Sequence, residues 1–281
     1  MTSIFILTKD EEINIEQCIQ SVAWSDDIVV LDSYSSDRTT EIAQDLGARV
    51  VQRKFDNWSA HQNWAVQNIE FKNPWVFYLD ADEAFDDELT GELQVEPAAN
   101  VAAFKVRRKD YLMGTWLKRS QFYPTWFVRY FRPEKIKYER LAHPIAIVDG
   151  NVEALAGHIL HKPFSHGMHQ WFDKHNRYSD FEAQELLEEV LGDIHWKPIF
   201  SKDHNERRRA LKRLAYRIPC RPTILYWYLM IVRLGFLDGK AGRSYASLRH
   251  LYETMIDAKV MEAKYLKRLE SEGDSQVRHT L

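Results

Sequence analysis

Along the first 80 residues, short apolar runs alternate with segments of helical periodicity. The apolar runs are Ile4–Leu7, Ile28–Leu31, Val50–Val51 and Trp75–Leu79. The segments with helical spacing are 14–22, Thr39–Leu46 and Ser59–Ile69. Strands that are apolar on both faces and alternate with helices are typical of a parallel sheet covered by helices. The pattern therefore predicts an α/β fold with a mostly parallel central sheet flanked by helices.

Three of these predicted strands end at a residue that can contact a ligand. Thr8 follows the first strand, Asp32 the second and Asp80 the fourth. In open sheets of parallel strands, ligands bind beyond the carboxyl ends of the strands. We therefore expect the functional site along the edge that these three residues form.

The pattern changes after about residue 102. Val101–Arg107 and Phe127–Phe131 are predicted strands, and residues 143–161 contain short apolar pieces without helical spacing. From Trp171 onwards the chain is predicted to be helical. We predict a catalytic domain over residues 1–198 and a basic, aromatic-rich helical extension over residues 199–281.

The composition excludes several classes of protein. Of the 281 residues, 45% are hydrophobic and 28% are charged, which excludes a disordered or collagen-like chain. The two cysteines, Cys18 and Cys220, are too few for a disulfide scaffold or a cysteine-rich zinc module. We expect no signal peptide, because Lys9 and Asp10 follow the first apolar run and no basic segment precedes it. A cytoplasmic protein, soluble or peripheral on a membrane, is the expectation that remains.

The charge is distributed unevenly along the chain. Residues 1–200 contain 21 Lys and Arg against 32 Asp and Glu, whereas residues 201–281 contain 17 against 9. Within the basic part, Lys202–Arg221 has eight basic and two acidic residues. An acidic body with a basic tail indicates an anionic partner at one end, either a membrane surface or a nucleic acid, or else a solvated helical tail.

An apolar, aromatic run follows the basic segment. Ile224–Val232 contains Trp227 and two tyrosines and is closed by Arg233. It is too short to cross a bilayer, which takes about 20 apolar residues. A helix lying in the membrane interface is one interpretation, and an amphipathic core helix is the other.

The sequence Asp80-Ala81-Asp82-Glu83 is the first candidate for chemistry. In extended chain, residues two apart face the same side, so Asp80 and Asp82 can converge on one hard cation. A cation held in this way suits a diphosphate ligand. The alternative is that these carboxylates cap a helix near Asp86–Leu93.

Asp32 and the residues after it form a second candidate. We predict that Asp32 contacts a ligand, whereas Asp37 has a structural role at the start of the helix Thr39–Leu46. Neither a G-x-G-x-x-G nor a G-x-x-x-x-G-K motif follows the first strand. A dinucleotide oxidoreductase and a P-loop NTPase are therefore poorly supported.

Histidines are concentrated in one region. Six of the eleven lie between His143 and His175. No zinc-binding spacing is present among them, so for most of them a hydrogen-bonded surface or core position is the better interpretation. One of them is a candidate to complete the site that Asp82 begins.

Four motifs in order resemble family 2 glycosyltransferases with the GT-A fold. These are Thr8-Lys9-Asp10-Glu11-Glu12, Asp32-Ser33-Tyr34-Ser35-Ser36-Asp37-Arg38-Thr39, Trp58–Ala65 with Gln62 and Asn63, and Asp80-Ala81-Asp82-Glu83. The later Gly157-His158-Ile159-Leu160-His161 and Lys174-His175-Asn176-Arg177-Tyr178 resemble the branch that builds lipopolysaccharide core and other envelope polysaccharides. The resemblance covers about residues 1–180.

The resemblance implies roles for individual residues. Thr8, Glu11 and Gln62 would surround the nucleotide of a nucleoside-diphosphate sugar, and Asp32 would contact its base or ribose. Asp80 and Asp82 would form the D-x-D motif that binds Mg²⁺ or Mn²⁺ on the diphosphate, with Asp82 the more direct ligand. His161 matches a position that contacts the metal or the diphosphate. The implied reaction is a single displacement that inverts the anomeric carbon, in which a carboxylate deprotonates the acceptor.

The chain departs from this family at the expected catalytic base. Where the related branch often has His-Glu after the region of Phe127–Phe131, this chain has His143-Pro144. Glu139 and His143 are the two candidates for the base, and the sequence does not choose between them.

The leading hypothesis is an inverting, metal-dependent hexosyltransferase on the inner face of the cytoplasmic membrane. Its partners would be a soluble sugar nucleotide, a lipid-linked saccharide acceptor and the anionic membrane surface, and no nucleic acid is expected. One alternative is a nucleic-acid-binding protein that uses the basic C-terminal segment. The other is a nucleotidyltransferase with a similar sheet, although Thr8–Asn14 lacks the glycine-rich loop of those enzymes.

Overall fold

The computed structural model describes residues 1–139, 144–190 and 218–272. The chain forms two compact units. The first comprises Met1–Lys118 and Phe122–Ser165, and the second comprises Arg119–Gln121 and the chain from His166 onwards. The domain boundary predicted between residues 198 and 199 lies outside the described residues and stays a prediction.

The first unit begins with the predicted alternation of strands and helices. The strands are β1 (Thr2–Thr8), β2 (Ile28–Asp32), β3 (Arg49–Gln52) and β4 (Trp75–Asp80). The helices are α1 (Ile15–Ser21), α2 (Thr39–Asp45) and α3 (Trp58–Asn68). The strands pair in parallel in the spatial order β3-β2-β1-β4. The predicted fold class is confirmed in this half of the sheet.

The other half of the sheet is mixed. Its elements are β5 (Glu83–Phe85), α4 (Asp87–Leu93), β6 (Val101–Leu112), β7 (Thr115–Trp116), β8 (Thr125–Phe131) and β11 (Asn151–His161). The sheet continues from β4 in the order β8-β6-β11-β5, and β8 is antiparallel to both of its neighbours. A separate antiparallel hairpin is formed by β9 (Ile136–Glu139) and β10 (Ile145–Val148).

Alternate residues of the central strands enter two different cores. On β1, Ile4 and Ile6 pack in one buried cluster, whereas Phe5 and Leu7 pack in another on the opposite face. The first cluster includes residues of α1 and α4, and the second includes Ala65 of α3. Burial of both faces explains why the run Ile4–Leu7 is apolar at consecutive positions.

The strand register brings the three predicted ligand-facing ends together. Thr8 pairs with Asp32, and Leu7 pairs with Asp80. The carboxyl ends of β1, β2 and β4 therefore lie at one edge, as the sequence predicts.

The second unit is helical in its described part. It contains α5 (Gly167–Val190), α6 (Arg221–Trp227), a π-helical turn (Tyr228–Val232) and α7 (Gly239–Glu272). Arg221 ties α6 to α7 through ion pairs with Glu253 and with Asp257, the latter at 2.7 Å. Among the described residues, none of the helices is both long enough and apolar enough to span a bilayer.

Candidate active site

The loops after β1 and β2 hold each other in place through reciprocal hydrogen bonds. Ser36 donates its backbone N–H to the carboxylate of Asp10 at 2.6 Å. The backbone N–H of Glu12 donates to Asp37 at 3.0 Å, and that of Arg38 donates back to Glu12 at 3.1 Å. Burial opposes ionisation of Asp10, but the hydrogen bonds from Ser36 outweigh it and lower the pKa of that carboxyl. Asp37 thus has the structural role predicted for it.

Asp32 is fully buried at the end of β2. Its carboxylate accepts from the backbone N–H of Ser35 at 3.0 Å and from Nε2 of Gln52 at 3.0 Å. The hydroxyl of Ser35 also donates to it. These bonds fix the carboxylate at the sheet edge, and its contact with a nucleotide stays a prediction.

The other residues expected around a nucleotide differ in how they are engaged. Glu11 accepts a hydrogen bond from Asn14 at 2.6 Å, and its backbone N–H donates to Thr39 at 2.8 Å. In contrast, Oγ1 of Thr8 and Oε1 of Gln62 are buried and have no hydrogen-bond partner within the described residues. Buried polar atoms are usually paired in native proteins. The contacts of Thr8 and Gln62 with a nucleotide stay predictions.

Asp80 is held by two side chains, Tyr78 of its own strand β4 and Arg129 of the neighbouring strand β8. The hydroxyl of Tyr78 donates to one of its oxygens, and Nη2 of Arg129 donates to the other at 2.8 Å. The guanidinium of Arg129 also lies over the ring of Tyr78, 4.0 Å from its centroid. The orientation of the Asp80 carboxylate is thus fixed by the protein.

Arg129 reaches this position because β8 carries a bulge. Phe104 of β6 pairs with Tyr130, but the next residue, Lys105, pairs with Val128. Arg129 is the extra residue between them, and bulges of this kind redirect a side chain beside functional sites. Arg129 was not among the residues predicted from the sequence. Its signal was a single arginine within an otherwise apolar strand, since arginine is seldom buried without a carboxylate partner.

Glu83 completes this buried ion cluster. Arg129 donates to Glu83 at 3.1 Å, and Arg108 lies 3.5 Å away. Burial raises the pKa of Glu83, although Arg129 and Arg108 oppose the change. The backbone N–H of Asp80 donates to Glu83 at 3.1 Å, so Glu83 stabilises the turn between β4 and β5.

Asp82 meets His161, which is the last residue of β11. Nε2 of His161 lies 3.2 Å from a carboxylate oxygen of Asp82, and Nδ1 lies 2.5 Å from the buried carboxylate of Asp110. Burial and Arg108 disfavour the charged ring, but Asp82 and Asp110 outweigh them and raise the pKa of His161 to about 9. Of the clustered histidines that the structure describes, which exclude His143, His161 is the one that contacts Asp82.

These donors fit a divalent cation. Metal-ligating histidines usually donate their second ring N–H to a carboxylate, which fixes the ring and its tautomer. Asp110 occupies that position on His161, so that Nε2, once a cation displaces its proton, and the Asp82 carboxylate would form a pair of nitrogen and oxygen ligands. Carboxylate oxygens and imidazole both suit Mn²⁺, and carboxylate oxygens suit Mg²⁺.

A second group of ligand-type atoms lies nearby in the first unit. Ligand atoms of Asp86, Glu88 and His158 lie within 4.8 Å of one another. However, Asp86 caps α4 by accepting from the N–H of Leu89 at 3.0 Å, and it forms an ion pair with Lys109 at 3.3 Å. An ammonium group therefore already balances this carboxylate. Because Asp86 is the cap of α4, the helix-capping alternative does not account for Asp80 and Asp82.

The two candidates for the catalytic base are placed differently by the structure. Glu139 ends β9 with its side chain 54% exposed, and it forms an ion pair with Lys137 at 3.1 Å. His143 lies outside the described residues. Both assignments stay predictions.

Comparison with known proteins identifies one family. The family model for Glycosyl transferase family 2 matches residues 3–152, more than half of the chain. The lipopolysaccharide core biosynthesis glycosyltransferase LpsC of Rhizobium meliloti (strain 1021) is 29% identical over 210 residues, which cover 71% of this chain and 76% of LpsC. An uncharacterized glycosyltransferase of Rickettsia bellii (strain RML369-C) is 39% identical over 93 residues, but this match spans only 31% of that protein.

Among solved structures, the chain is similar to the mannosyltransferase PcManGT of Pyrobaculum calidifontis, which was solved in complex with GDP-Man and Mn²⁺. The TM-score is 0.50 at 14% identity, and the match covers 92% of this chain and 86% of that one. At this identity the similarity concerns the fold alone, and it confirms the predicted GT-A architecture.

Proposed function

This chain belongs to glycosyl transferase family 2, and from that premise we propose that it is an inverting, metal-dependent hexosyltransferase. It transfers a sugar from a nucleoside-diphosphate sugar, a UDP-hexose, to a lipid-linked saccharide acceptor in the synthesis of lipopolysaccharide or another envelope polysaccharide. One observation supports this proposal above the others. Asp110 holds one ring nitrogen of His161, the other ring nitrogen lies against Asp82, and Arg129 holds the carboxylate of Asp80 in the same D-x-D motif.

We assign the cation to Asp80, Asp82 and His161. When bound, Mg²⁺ or Mn²⁺ supplies positive charge that stabilises the departing nucleoside diphosphate. His161 is positioned by Asp110, and Asp80 is positioned by Arg129 and Tyr78. Fixed ligands of this kind need no rearrangement when the donor binds.

The nucleotide lies against the edge formed by β1 and β2. Thr8 and Gln62 contribute the buried polar atoms that have no partner within the described residues, and Asp32 and Glu11 contribute carboxylates. Hydrogen bonds between the two loops keep these groups in one geometry, which lowers the entropic cost of binding.

In the reaction, an acceptor hydroxyl oxygen forms a bond to the anomeric carbon while the bond from that carbon to the phosphate oxygen breaks. The configuration at the anomeric carbon is therefore inverted. The proton of the hydroxyl passes to a general base. Glu139 is the described carboxylate that we propose for this role, and His143 is the second candidate.

The acceptor class is supported by similarity to LpsC, whose description names lipopolysaccharide core biosynthesis. Such acceptors are anchored in a membrane, and the second unit offers a surface that suits one. Leu229 and Met230 of the predicted apolar run are buried, whereas Trp227, Ile231 and Val232 are 54%, 59% and 67% exposed. Exposed apolar and aromatic side chains beside basic residues favour binding in an anionic interface. We therefore place the protein on the inner face of the cytoplasmic membrane as a peripheral protein.

Thermal stability with nucleotides tests the proposal directly. A ligand at 100 times its dissociation constant stabilises a protein by about 2.7 kcal/mol. We expect UDP to raise the melting temperature only with Mn²⁺, and we expect Asp82→Ala to remove the shift. Asp45→Ala, at the exposed end of α2, is the matched control and should keep it. If no nucleoside diphosphate stabilises the folded wild type, the proposed function is wrong.

A further inference from the structure

One face of β6 and β8 carries a cluster of cations and indole rings, which we call the cation–aromatic face. It comprises Lys105, Arg107, Lys118, Trp116 and Trp126. On β6, Lys105 and Arg107 alternate with Val106, which is fully buried in the core. Side chains two apart point to one side of a strand, so both cations lie on the side away from Val106. Trp126 pairs directly with Arg107 across the two strands.

The cations lie over the rings at cation–π distances. Nζ of Lys105 is 5.3 Å from the ring centroid of Trp126, and Cζ of Arg107 is 5.4 Å from it. Nζ of Lys118 is 5.2 Å from the centroid of Trp116. Contacts within about 6 Å hold cation and ring together. The face is therefore organised in advance, although Trp126 is 39% exposed.

Lys109, whose Nζ is 5.4 Å from the ring centroid of Trp116, is balanced by Asp86 at 3.3 Å, but the three cations of the cation–aromatic face have no such partner among the described residues. Within the part of the chain that the structure describes, Lys105, Arg107 and Lys118 form no ion pair with a carboxylate. Two N–H donors of the face, Nε of Arg107 and Nε1 of Trp116, are buried without an acceptor in the same part of the chain. Arg107 also donates to the backbone carbonyl of Ala156, which fixes its guanidinium. The face thus combines positive charge that no carboxylate balances with flat apolar surface.

We propose that the cation–aromatic face binds an anionic saccharide. The C–H faces of sugar rings pack on indole, while the cations bind phosphate or carboxylate groups. The proposal rests on the proposed function, because the saccharide is then the acceptor. The face holds a part of the acceptor remote from the reacting hydroxyl, since Lys105 and Arg107 point away from the side of β6 that Asp110 occupies.

Stacking rings with cations also suit single-stranded nucleic acid. The charge of the surrounding chain favours the saccharide instead. Residues 1–200 carry 32 acidic against 21 basic residues, which would repel a long polyanion. A short saccharide with one or two anionic groups contacts the face alone.

Calorimetric titration without any sugar nucleotide tests this inference. The probe is deacylated lipopolysaccharide core oligosaccharide, used before and after phosphatase treatment, with an oligogalacturonate of similar length as the carboxylate arm. We expect the double variant Lys105→Gln/Arg107→Gln to weaken binding about 10-fold or more, because it removes two charge-assisted contacts. Trp126→Ala should weaken binding of every saccharide that binds.

Lys54→Gln is the matched control, because Lys54 is exposed after β3 at the opposite end of the sheet order, and it should bind as the wild type does. Near-ultraviolet circular dichroism shows whether each variant is folded. If the wild type binds the core oligosaccharide less tightly after phosphatase treatment, phosphate is the anion that the face recognises. If its affinity survives the treatment and it also binds oligogalacturonate, the anion is carboxylate. Unchanged affinity in both folded variants overturns the inference, as does an oligodeoxythymidylate that binds more tightly and displaces the saccharide.

The two proposals can fail separately. Asp82→Ala should bind the oligosaccharide normally while losing the Mn²⁺-dependent response to UDP. If the wild type binds the saccharide but no nucleoside diphosphate, the face is correct and the proposed function is wrong. If UDP and Mn²⁺ bind but no anionic saccharide does, the face is wrong and the transferase assignment stands.

Discussion

Nε2 of His161 lies 3.2 Å from a carboxylate oxygen of Asp82, although the two residues are 79 positions apart in the chain. Asp82 lies in the turn after β4, and His161 is delivered by the end of β11. Asp110 on β6 fixes the other ring nitrogen. Three separate segments of the first unit therefore determine the geometry of one donor pair.

Asp110→Asn should weaken metal binding while leaving Asp82 and His161 in place. Replacing such a supporting carboxylate typically costs about 10- to 100-fold in metal affinity. Because Asp110 also raises the pKa of His161, the variant should show a lower His161 pKa by NMR titration without metal. Mn²⁺ affinity is measured by titration in the presence of UDP. Asp87→Asn on α4 is the control, and equal Mn²⁺ affinity in Asp110→Asn would contradict the role of Asp110.

Arg129→Met should destabilise the protein strongly. The substitution leaves the carboxylate of Glu83 buried without its main partner, and removing one member of a buried ion pair typically costs about 3–5 kcal/mol. Urea unfolding measures the change. Adding Glu83→Gln to Arg129→Met should recover part of the loss, because it removes the unpaired charge. No recovery in the double variant would show that the loss comes from packing instead.

The contribution of the Arg129–Glu83 ion pair to stability should depend on pH. The folded pKa of Glu83 is raised above its ordinary value, and without Arg129 it should rise further. A group with a raised folded pKa contributes stability below its unfolded pKa, and that contribution is lost as pH rises through the folded value. Arg129→Met should therefore be closer to the wild type in stability near pH 4 than at pH 8. A difference that is independent of pH would contradict this assignment.

Asp27 should make the protein sensitive to acid. Its buried carboxylate accepts from Ser3 at 2.6 Å, from the backbone N–H of Lys72 at 2.8 Å and from Arg49 at 2.9 Å. Burial opposes ionisation, but these bonds outweigh it and lower the pKa of Asp27. The stabilisation is therefore complete above the unfolded pKa of about 3.9 and is lost as pH falls through the folded value. Asp27→Asn should cost about 1–3 kcal/mol at pH 7 and much less at pH 2, as measured by urea unfolding. Asp26→Asn is the control, because Asp26 is the exposed neighbour of Asp27 and its replacement should change stability less.

Trp227→Glu combined with Val232→Glu should release the protein from anionic vesicles without unfolding it. Both side chains are more than half exposed, so charge is tolerated in the folded state but not in an apolar interface. Co-sedimentation with phosphatidylglycerol vesicles measures binding, and Met261→Glu, which is 70% exposed on α7, is the control. Leu229 is fully buried and is unsuitable for this test. If the double variant binds the vesicles as the wild type does, the exposed apolar surface has another function.

The parallel half of the fold could be predicted because its signal is local. Ile4 and Ile6 enter one core and Phe5 and Leu7 enter the other. Four adjacent apolar residues are therefore enough to indicate a strand that is buried on both faces. Asp80 was likewise identifiable because it ends an apolar strand. The antiparallel insertion of β8 beside β4 could not be predicted, since it depends on pairing between residues about 50 positions apart.

The site could be predicted only in part for the same reason. Asp80, Asp82 and His161 were all candidates. Residue type and spacing did not separate His161 from the other clustered histidines; the family resemblance singled it out, and the structure places it against Asp82. Arg129 and Asp110 were missed. The position of Arg129 depends on a bulge in β8. Asp110 directly follows Arg107-Arg108-Lys109, so the sequence favours a simple ion pair with these residues over a contact with a distant histidine.

The placement of β8 also affects how the protein is made. Strands β1 to β4 are complete once residue 80 has been synthesised. The edge of β4 that faces away from β1 pairs with β8, which ends only at Phe131. At synthesis rates of about 5–20 residues per second, that edge stays unpaired for several seconds. Asp80 cannot form its ion pair until Arg129 has been synthesised. Asp82 cannot contact His161 until the chain is almost at the end of the first unit. A chain halted near residue 120 would therefore have an unpaired edge on β4 and would lack the partners of Asp80 and Asp82. Exposed strand edges of this kind make a folding intermediate prone to aggregation.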